Sequence, residues 1–324
     1  MKRIIAILMV LAMIFSLSAC GGTADGGAKP TTMTMGTGGT AGTYYGYGGI
    51  LGSQIKTSTG ITVNVVSTDG SKANILGIDA GNYQLGTVQS DVMAYGWDGS
   101  RSFEQEGALD SFRVIGGLYA EAVQLVTMDS SIKSVADLKG KKVSIGAAGS
   151  GVYFNAVDIL AAAGLSEKDI QPQYQSFADS ADALKDGKID AAFIVAGAPT
   201  PAIQELCTTT SAKLVPIDGD VAKKLMESSP YYTTYKVPAG TYDGQEKEVT
   251  TVTVKATLIV SASASEDDVY NITKSIFDNI DAITAAHAKG AELSIENATD
   301  GITVPFHAGA AKYFKEKGVT VETK

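Results

Sequence analysis

The sequence predicts an α/β protein made of two similar lobes, and three observations carry that prediction. From Thr31 onward, β-branched runs of strand character alternate with runs of helical spacing. A unit of strand, Gly/Thr/Ser loop and helix occurs twice, as TMTMGTGGTAGTYY from Thr32 and as VSIGAAGSGVYF from Val143. One long β-branched run, VTTVTVKATLIVSA from Val249, is long enough to cross from one lobe to the other. The 324 residues are 44% hydrophobic, which suffices for the core of one large or two smaller domains.

The N-terminus, MKRIIAILMVLAMIFSLSACGG, has a basic end (Lys2, Arg3), an apolar run from Ile4 to Leu17 and small residues after it. This is a signal peptide, expected to cover residues 1–19 and to stand outside the fold. Leu17-Ser18-Ala19-Cys20 resembles the bacterial lipobox, which implies cleavage before Cys20 and lipidation of that cysteine. Residues 20–32 then read as a flexible tether. Cys207 is left as a lone thiol, expected to be a buried small hydrophobe.

Thr31–Met35 is the first expected strand, followed by a helix carrying Tyr44, Tyr47, Ile50, Leu51 and Ile55. ITVNVVST is the next strand, and GSKANILGIDAG a short helix from Ser71 to Gly81. YQLGTVQSD is a strand ending in a polar tip, and FRVIGGLY and EAVQLVTM are two further strands. The pattern restarts near Asp129: a short helix, a strand, a Gly/Ser loop and a strong helix in VYFNAVDILAAAGL. Helix, strand, loop and helix follow in FADSADALKDGKIDAAFIVAGAPTPAIQEL, and KLVPID is a strand. SEDDVYNITKSIFDNIDAITAAHAKG reads as one helix, with Ser265 as N-cap, acids in its first turn and Gly290 at its end.

Net charge is −9, and loss of Lys2 and Arg3 makes it more negative. Such a surface suits neither nucleic acid nor anionic lipid as a broad partner. Arg3, Arg101 and Arg113 are the only arginines, so an anion held here relies on backbone amides and hydroxyls. The uncharged stretch Thr34–Ile50 has that character: a glycine-rich loop leading into a helix lets an anion approach unpaired N–H groups. Gly36-Thr37-Gly38-Gly39-Thr40-Ala41 also fits a dinucleotide fingerprint, but the nearest acid at a second strand end, Asp69, comes late for a ribose contact. Ser150 is not a hydrolase nucleophile elbow, since Ala148 stands where that motif needs glycine.

Five stretches in order, GTGGTAGTYYGYGG, GSKANILGIDAGNYQLGTVQSDVMAYGWDG, SVADLKGKKVSIGAAGSG, VAGAPTPAIQEL and FHAGAAKYFKEKG, resemble the TAXI family. These are solute-binding subunits of tripartite ATP-independent periplasmic (TRAP) transporters. The resemblance spans about residues 33–318. It implies a two-lobed, type II periplasmic-binding fold with a hinge of crossing strands near Val123–Thr127 and Thr251–Leu258. Lobe 1 is expected over 33–125 and 253–324, and lobe 2 over 126–252. The implied ligand is a small carboxylate resembling glutamate, glutamine or 2-oxoglutarate, delivered to membrane permease subunits driven by an ion gradient. Val152, Ala198 and Gly46 depart from the family's usual threonine, aromatic and proline.

On this reading Gly38, Gly39, Thr40, Ala41 and Thr43 cradle a carboxylate in the first lobe, with Tyr44 as a hydroxyl donor or wall. Asn74 resembles a family asparagine, and Gln89, Ser90 and Asp91 form the polar strand tip. Gly149, Ser150 and Gly151 present the opposed helix N-terminus, and Ala198, Pro199 and Thr200 line the facing wall. No catalytic residue, metal or cofactor is expected, and the protein is expected outside the cell membrane, anchored through Cys20. Two other readings stay open: a binding lipoprotein for an ATP-driven importer or a sensor, and an exported enzyme on the same fold. The enzyme would need a base, metal or nucleophile in the cleft, where these motifs offer only Asp91.

Overall fold

A computed structural model describes residues 31–324. The signal peptide, Cys20 and most of the tether lie outside the described residues. The chain begins with β1 (Thr32–Gly36), the helix α1 (Thr43–Thr59), β2 (Thr62–Val66), α2 (Ser71–Asp79), β3 (Leu85–Gln89) and α3 (Ser90–Asp98). Within α1, Gly48 and Gly52 lie against Thr37, Met35 and Val63, where a side chain would hold the helix off the strands. This close approach offsets the usual cost of glycine in a helix interior, about 1 kcal/mol each.

The expected pair of strands in FRVIGGLYAEAVQLVT is one continuous strand, β4 (Phe112–Thr127). Gly116 and Gly117, inside the first of the two expected strands, sit where the pairing with a later strand shifts register, and a side chain on Gly117 would meet the Asn297 carbonyl oxygen at 2.7 Å.

The chain continues through β5 (Lys142–Ser144), α4 (Gly151–Ala162), β6 (Gln171–Gln173), α5 (Phe177–Lys185), β7 (Ala191–Ala196), α6 (Pro201–Thr209) and β8 (Lys213–Val215). Then come α7 (Gly219–Ser228) and β9 (Thr233–Val237), which sequence reading missed, and the long β10 (Val249–Ser261). The last elements are α8 (Glu266–Phe277), α9 (Ile280–Ala286), α10 (Ile295–Thr299) and α11 (Ala308–Glu316).

The single helix expected from Ser265 to Gly290 is therefore interrupted. Ser265 does cap it, accepting the Asp268 N–H at 3.1 Å. At the break, Asn279 turns its amide back to the Ser275 carbonyl, competing with the helical ladder. Asp278 is drawn off by Lys274, Lys317 and Tyr313. His287 is the C-cap of α9 and packs edge-on against Tyr47, and His307 is the N-cap of α11. Trp97 packs against Phe112.

All ten strands join one mixed sheet, ordered β2-β1-β3-β10-β4-β7-β5-β6, with β8 on β4 and β9 on β10. β1 pairs parallel with β2 and β3, and β5 pairs parallel with β6 and β7. Only β4 and β10 run through both halves. The first part of β4 pairs with the end of β10, and its second part pairs with β7 and β8.

The cores follow this division. One apolar cluster holds Met35, Tyr47, Leu51, Ile75, Leu118 and Tyr119 together with α8 and α11. Two others hold Val123, Ile159, Phe193 and Ala122, Ile194, Ile203 respectively. Both long strands pass from one core to the next where Glu121 stands opposite Val254.

Asn74 locks β1, β3 and the loop before α2 to one another. Its amide donates to the Thr37 and Thr87 carbonyls at 2.6 and 2.7 Å, and its oxygen accepts from Thr68 at 2.7 Å. Asn74 itself and its two amide bonds are buried. Asn74→Ala removes the side-chain donor to the Thr87 carbonyl, while the Thr37 carbonyl keeps the Thr68 hydroxyl at 2.9 Å, and is expected to cost roughly 2–3 kcal/mol. The check is a melting temperature lowered by at least about 4 °C; an unchanged melting temperature would contradict this role.

Candidate functional site

The ends of five helices meet at one cavity. Gly42, Gly70, Gln89, Ser150 and Ser176 are the N-cap residues of α1, α2, α3, α4 and α5, and all five line it. Four of these caps, Gly42, Gly70, Gln89 and Ser150, have no side-chain cap, and the two glycines leave the amides of α1 and α2 open to close approach. Only Ser176 among the five spends its side chain on its own helix, accepting the Asp179 N–H at 3.2 Å. Each N-terminus carries unpaired N–H groups and about half a positive charge. Three of the helices belong to the first half of the sheet and two to the second.

The cavity has a volume of about 80 Å³, room for roughly six waters and so for a small ligand. No lysine or arginine lines it. Its charged lining residues are Asp69 and Glu121. Asp69 is exposed at the rim, and Glu121 is 1% exposed. Burial pushes the Glu121 carboxyl up to about 8, against the smaller opposing pull of Tyr44; Asp91 adds to the rise, and Lys289 and Gln89 offset it. The Tyr44 hydroxyl and Gln89 Oε1 are buried without a hydrogen-bond partner.

Of the residues singled out in the sequence, Gly38, Gly39, Thr43, Tyr44, Gln89, Ser150 and Gly151 line this one cavity. The two Gly-rich loops, from opposite ends of the first 151 residues, thus share it. The remaining nine stand outside its lining. Thr40 lies in the turn before α1. The Ala41 carbonyl accepts the Ala202 N–H at 3.1 Å, and the Gly149 carbonyl accepts the Ala73 N–H at 3.4 Å. Asn74 is consumed by the three bonds described above. Ser90 accepts the Lys255 N–H at 3.2 Å on the far side of the sheet. Ala198 and Pro199 are joined by a cis peptide bond, and Thr200 is buried, taking the Gln124 amide at 2.9 Å. Asp91 is buried at the start of α3, where Asn155 donates to it at 2.8 Å.

Residues that sequence reading missed include Glu121, Thr68, Ser71, Gln175, Ser176 and Phe177. Glu121 carried a readable signal, a lone acid inside an apolar strand.

The halves touch around this cavity. The Thr43 hydroxyl donates to the Gly197 carbonyl at 2.8 Å. Outside the cavity lining the Arg101 guanidinium pairs with Asp158, which also accepts from the Tyr232 hydroxyl, and that hydroxyl accepts from the Asn155 amide. Gly151 sits directly on Gln89: a methyl group there would collide with the Gln89 carboxamide and lie 3.0 Å from Val92.

Gly151→Ala suits the start of a helix but holds the halves apart. It is expected to leave the melting temperature within about 3 °C and to weaken binding of the cavity's ligand about tenfold or more. Titration calorimetry checks this, and wild-type affinity would refute the contact's role. Asp91 gives a second expectation. Burial raises its carboxyl to about 6, above the ordinary value of 3.8. The folded chain therefore holds a proton that the unfolded chain has released, and stability falls as pH rises from about 4 to 6. Asp91→Asn removes that loss, on the order of 3 kcal/mol above pH 6. Denaturant unfolding at pH 4 and pH 7.5 should show the variant gaining on the wild type at the higher pH only.

The fold is matched by solved structures. The alkanesulfonate-binding protein SsuA of Xanthomonas axonopodis pv. citri, bound to MOPS, aligns over 90% of this chain and 92% of its own, with 16% identity and a TM-score of 0.51. A Listeria monocytogenes protein named for an L-cystine ABC transporter aligns over 82% and 98%, with 20% identity and a TM-score of 0.50. At these identities the likeness speaks to the fold, which is α/β of the type II periplasmic-binding kind. An Escherichia coli (strain K12) protein named for aliphatic sulfonate binding is 45% identical over 69 residues. That stretch covers 21% of each chain, so this chain matches only about a fifth of that relative's length. Residues 35–318, nearly all of the described chain, match the NMT1-like family, and the chain belongs to it.

Proposed function

We propose that this chain is an extracytoplasmic solute-binding receptor that captures a small carboxylate between two lobes and hands it to a membrane permease. The observation that carries the reading is the convergence of five helix N-termini on one small cavity with no basic side chain in its lining. Amide dipoles hold an anion without a permanent ion pair, so an opening of the lobes releases it. The lobes are 33–125 with 253–324, and 126–252. Separate apolar cores and the two shared strands support that division, with rotation about the crossing of β4 and β10. The signal sequence and Cys20 support export and lipid anchoring, and among the described residues no helix is long and apolar enough to cross a membrane. Among the described residues no serine or threonine of the lining is hydrogen-bonded to Glu121 or Asp69, which favours binding over catalysis.

The TAXI-like motifs favour a TRAP permease as the partner. The relatives named for sulfonate binding and for an ABC transporter favour a second reading, an ATP-driven importer. Uptake into proteoliposomes carrying the membrane subunits encoded beside this chain separates them: an ion gradient drives the first and ATP the second.

Ser150 caps α4 and lines the cavity without capping its own helix by side chain. A thermal-shift screen over carboxylates, amino acids and sulfonates should identify a stabilising ligand. Ser150→Leu should lower its affinity at least about tenfold by filling the cavity, with the fold retained. Unaltered calorimetric affinity would remove the site from consideration.

A further inference from the structure

An anion site is an odd place for a buried acid. Glu121 lies on β4 where that strand passes between the cores, and its carboxyl faces the same cavity as the helix N-termini. Among the described residues it has no ion pair, and no lysine or arginine lines the cavity with it. Two further groups beside it are unsatisfied, the Gln89 side-chain oxygen and the Tyr44 hydroxyl. The Tyr44 and Gln89 side chains favour the charged form of Glu121, yet the Tyr44 oxygen and Gln89 Oε1 have no partner in hydrogen-bond geometry. Unpaired buried acceptors are costly and call for a donor.

We propose that Glu121, Gln89 and Tyr44 form a subsite for a protonated amine, so that the ligand is a small zwitterion carrying an ammonium group on the same molecule as its anion. The inference rests on the receptor reading above and narrows its ligand class. An ammonium has three donors and no acceptor, matching a carboxylate, an amide oxygen and a phenol oxygen. A proton resident on Glu121 would serve only one of the three. The charge also balances: the helix N-termini take the ligand's anionic end, and Glu121 takes the cationic end, with neither half of the protein needing a basic residue.

The geometry has a consequence in pH. Burial holds Glu121 near 8 without a ligand, so at neutral pH an arriving ammonium expels a proton from it. Affinity for the zwitterion should therefore rise from pH 7 to pH 9, where the free carboxyl is already ionised. The groups facing Glu121 are Tyr44 from α1, Asp91 from α3, Lys289 from the turn after α9 and Tyr119 on its own strand. Burial raises both tyrosines above their ordinary 10, and Asp91 titrates near 6, so those three are silent across this window.

Matched pairs of probes test the subsite: L-alanine and propionate, L-glutamate and glutarate, taurine and ethanesulfonate. Each pair shares its anion and differs in the amine. Calorimetry on the mature full-length protein at pH 7 and pH 9 should show, in the pair that binds, the amine-bearing member at least about tenfold tighter and gaining affinity with pH. Glu121→Gln should reduce that preference below about threefold, abolish the pH gain and leave the amine-free member within about threefold of wild type. Glu121→Asp, which keeps the charge, should retain part of the preference. Equal binding of both members, or affinity falling as pH rises, overturns the subsite while sparing the receptor. The falling profile would show a protonated Glu121 donating to the anion instead. A Glu121→Gln protein that keeps its amine preference also overturns the subsite. Failure of every member of every pair to bind counts against the receptor reading and takes this inference with it.

Discussion

Five helix N-termini pointing into one small space is the constraint around which the molecule is arranged. Partial positive charges of this kind repel one another at close quarters, and their unpaired amides need partners. Such an arrangement holds only if each helix is fixed from behind by its own packing. α1 is drawn onto β1 and β2 at Gly48 and Gly52. α2 is fixed through Asn74, whose three bonds hold its first turn to the ends of β1 and β3 and to the loop between β2 and α2. α4 rests on the second core through Ala156, Ile159 and Leu160. The cavity is thus surrounded by rigid elements, and its polarity is set by backbone direction more than by side-chain charge.

The two strands common to both halves link the cavity to its means of opening. β4 and β10 each leave one core and enter another near Glu121 and Val254. The proposed rotation there would separate α1, α2 and α3 from α4 and α5 while the apolar clusters stay within their halves. The contacts that would part are few and local: Thr43 with Gly197, Ala41 with Ala202, Ala73 with Gly149, and Arg101 with Asp158. The exposed Arg101 pair adds little on its own, as surface ion pairs do. The cavity's buried acid stands at this crossing, so the proposed ligand contact and the proposed hinge coincide.

Charge selection follows from the same arrangement. The chain is acidic overall, and its cavity lining has no basic residue, yet its dipoles favour an anion. On the proposed reading, Glu121 provides discrimination among anions. A molecule without a cationic group leaves it and its two unsatisfied neighbours unpaired, and leaving buried polar groups unpaired is a stronger means of rejection than a poor apolar fit.

Much of this was legible in the residues themselves. Alternating strand and helix patterns, the two Gly-rich loops, the Ser265 cap and the long β-branched run each depend on local backbone preferences, and they stand where the sequence places them. Local signals misled where tertiary contacts overrode them. FRVIGGLY and EAVQLVTM read as two strands but form the single β4, and the helix after Ser265 is interrupted where Asp278 and Asn279 find other partners. The sequence by itself determined the α/β class and the loops that end in helix N-termini, because caps and periodicity act over a few residues. Which of those N-termini meet, that Asn74 and Thr200 are spent on structure, and that Glu121 faces the cavity were decided only in three dimensions. They follow from two strands crossing between cores, which brings together residues as far apart in sequence as Gly38 and Ala196.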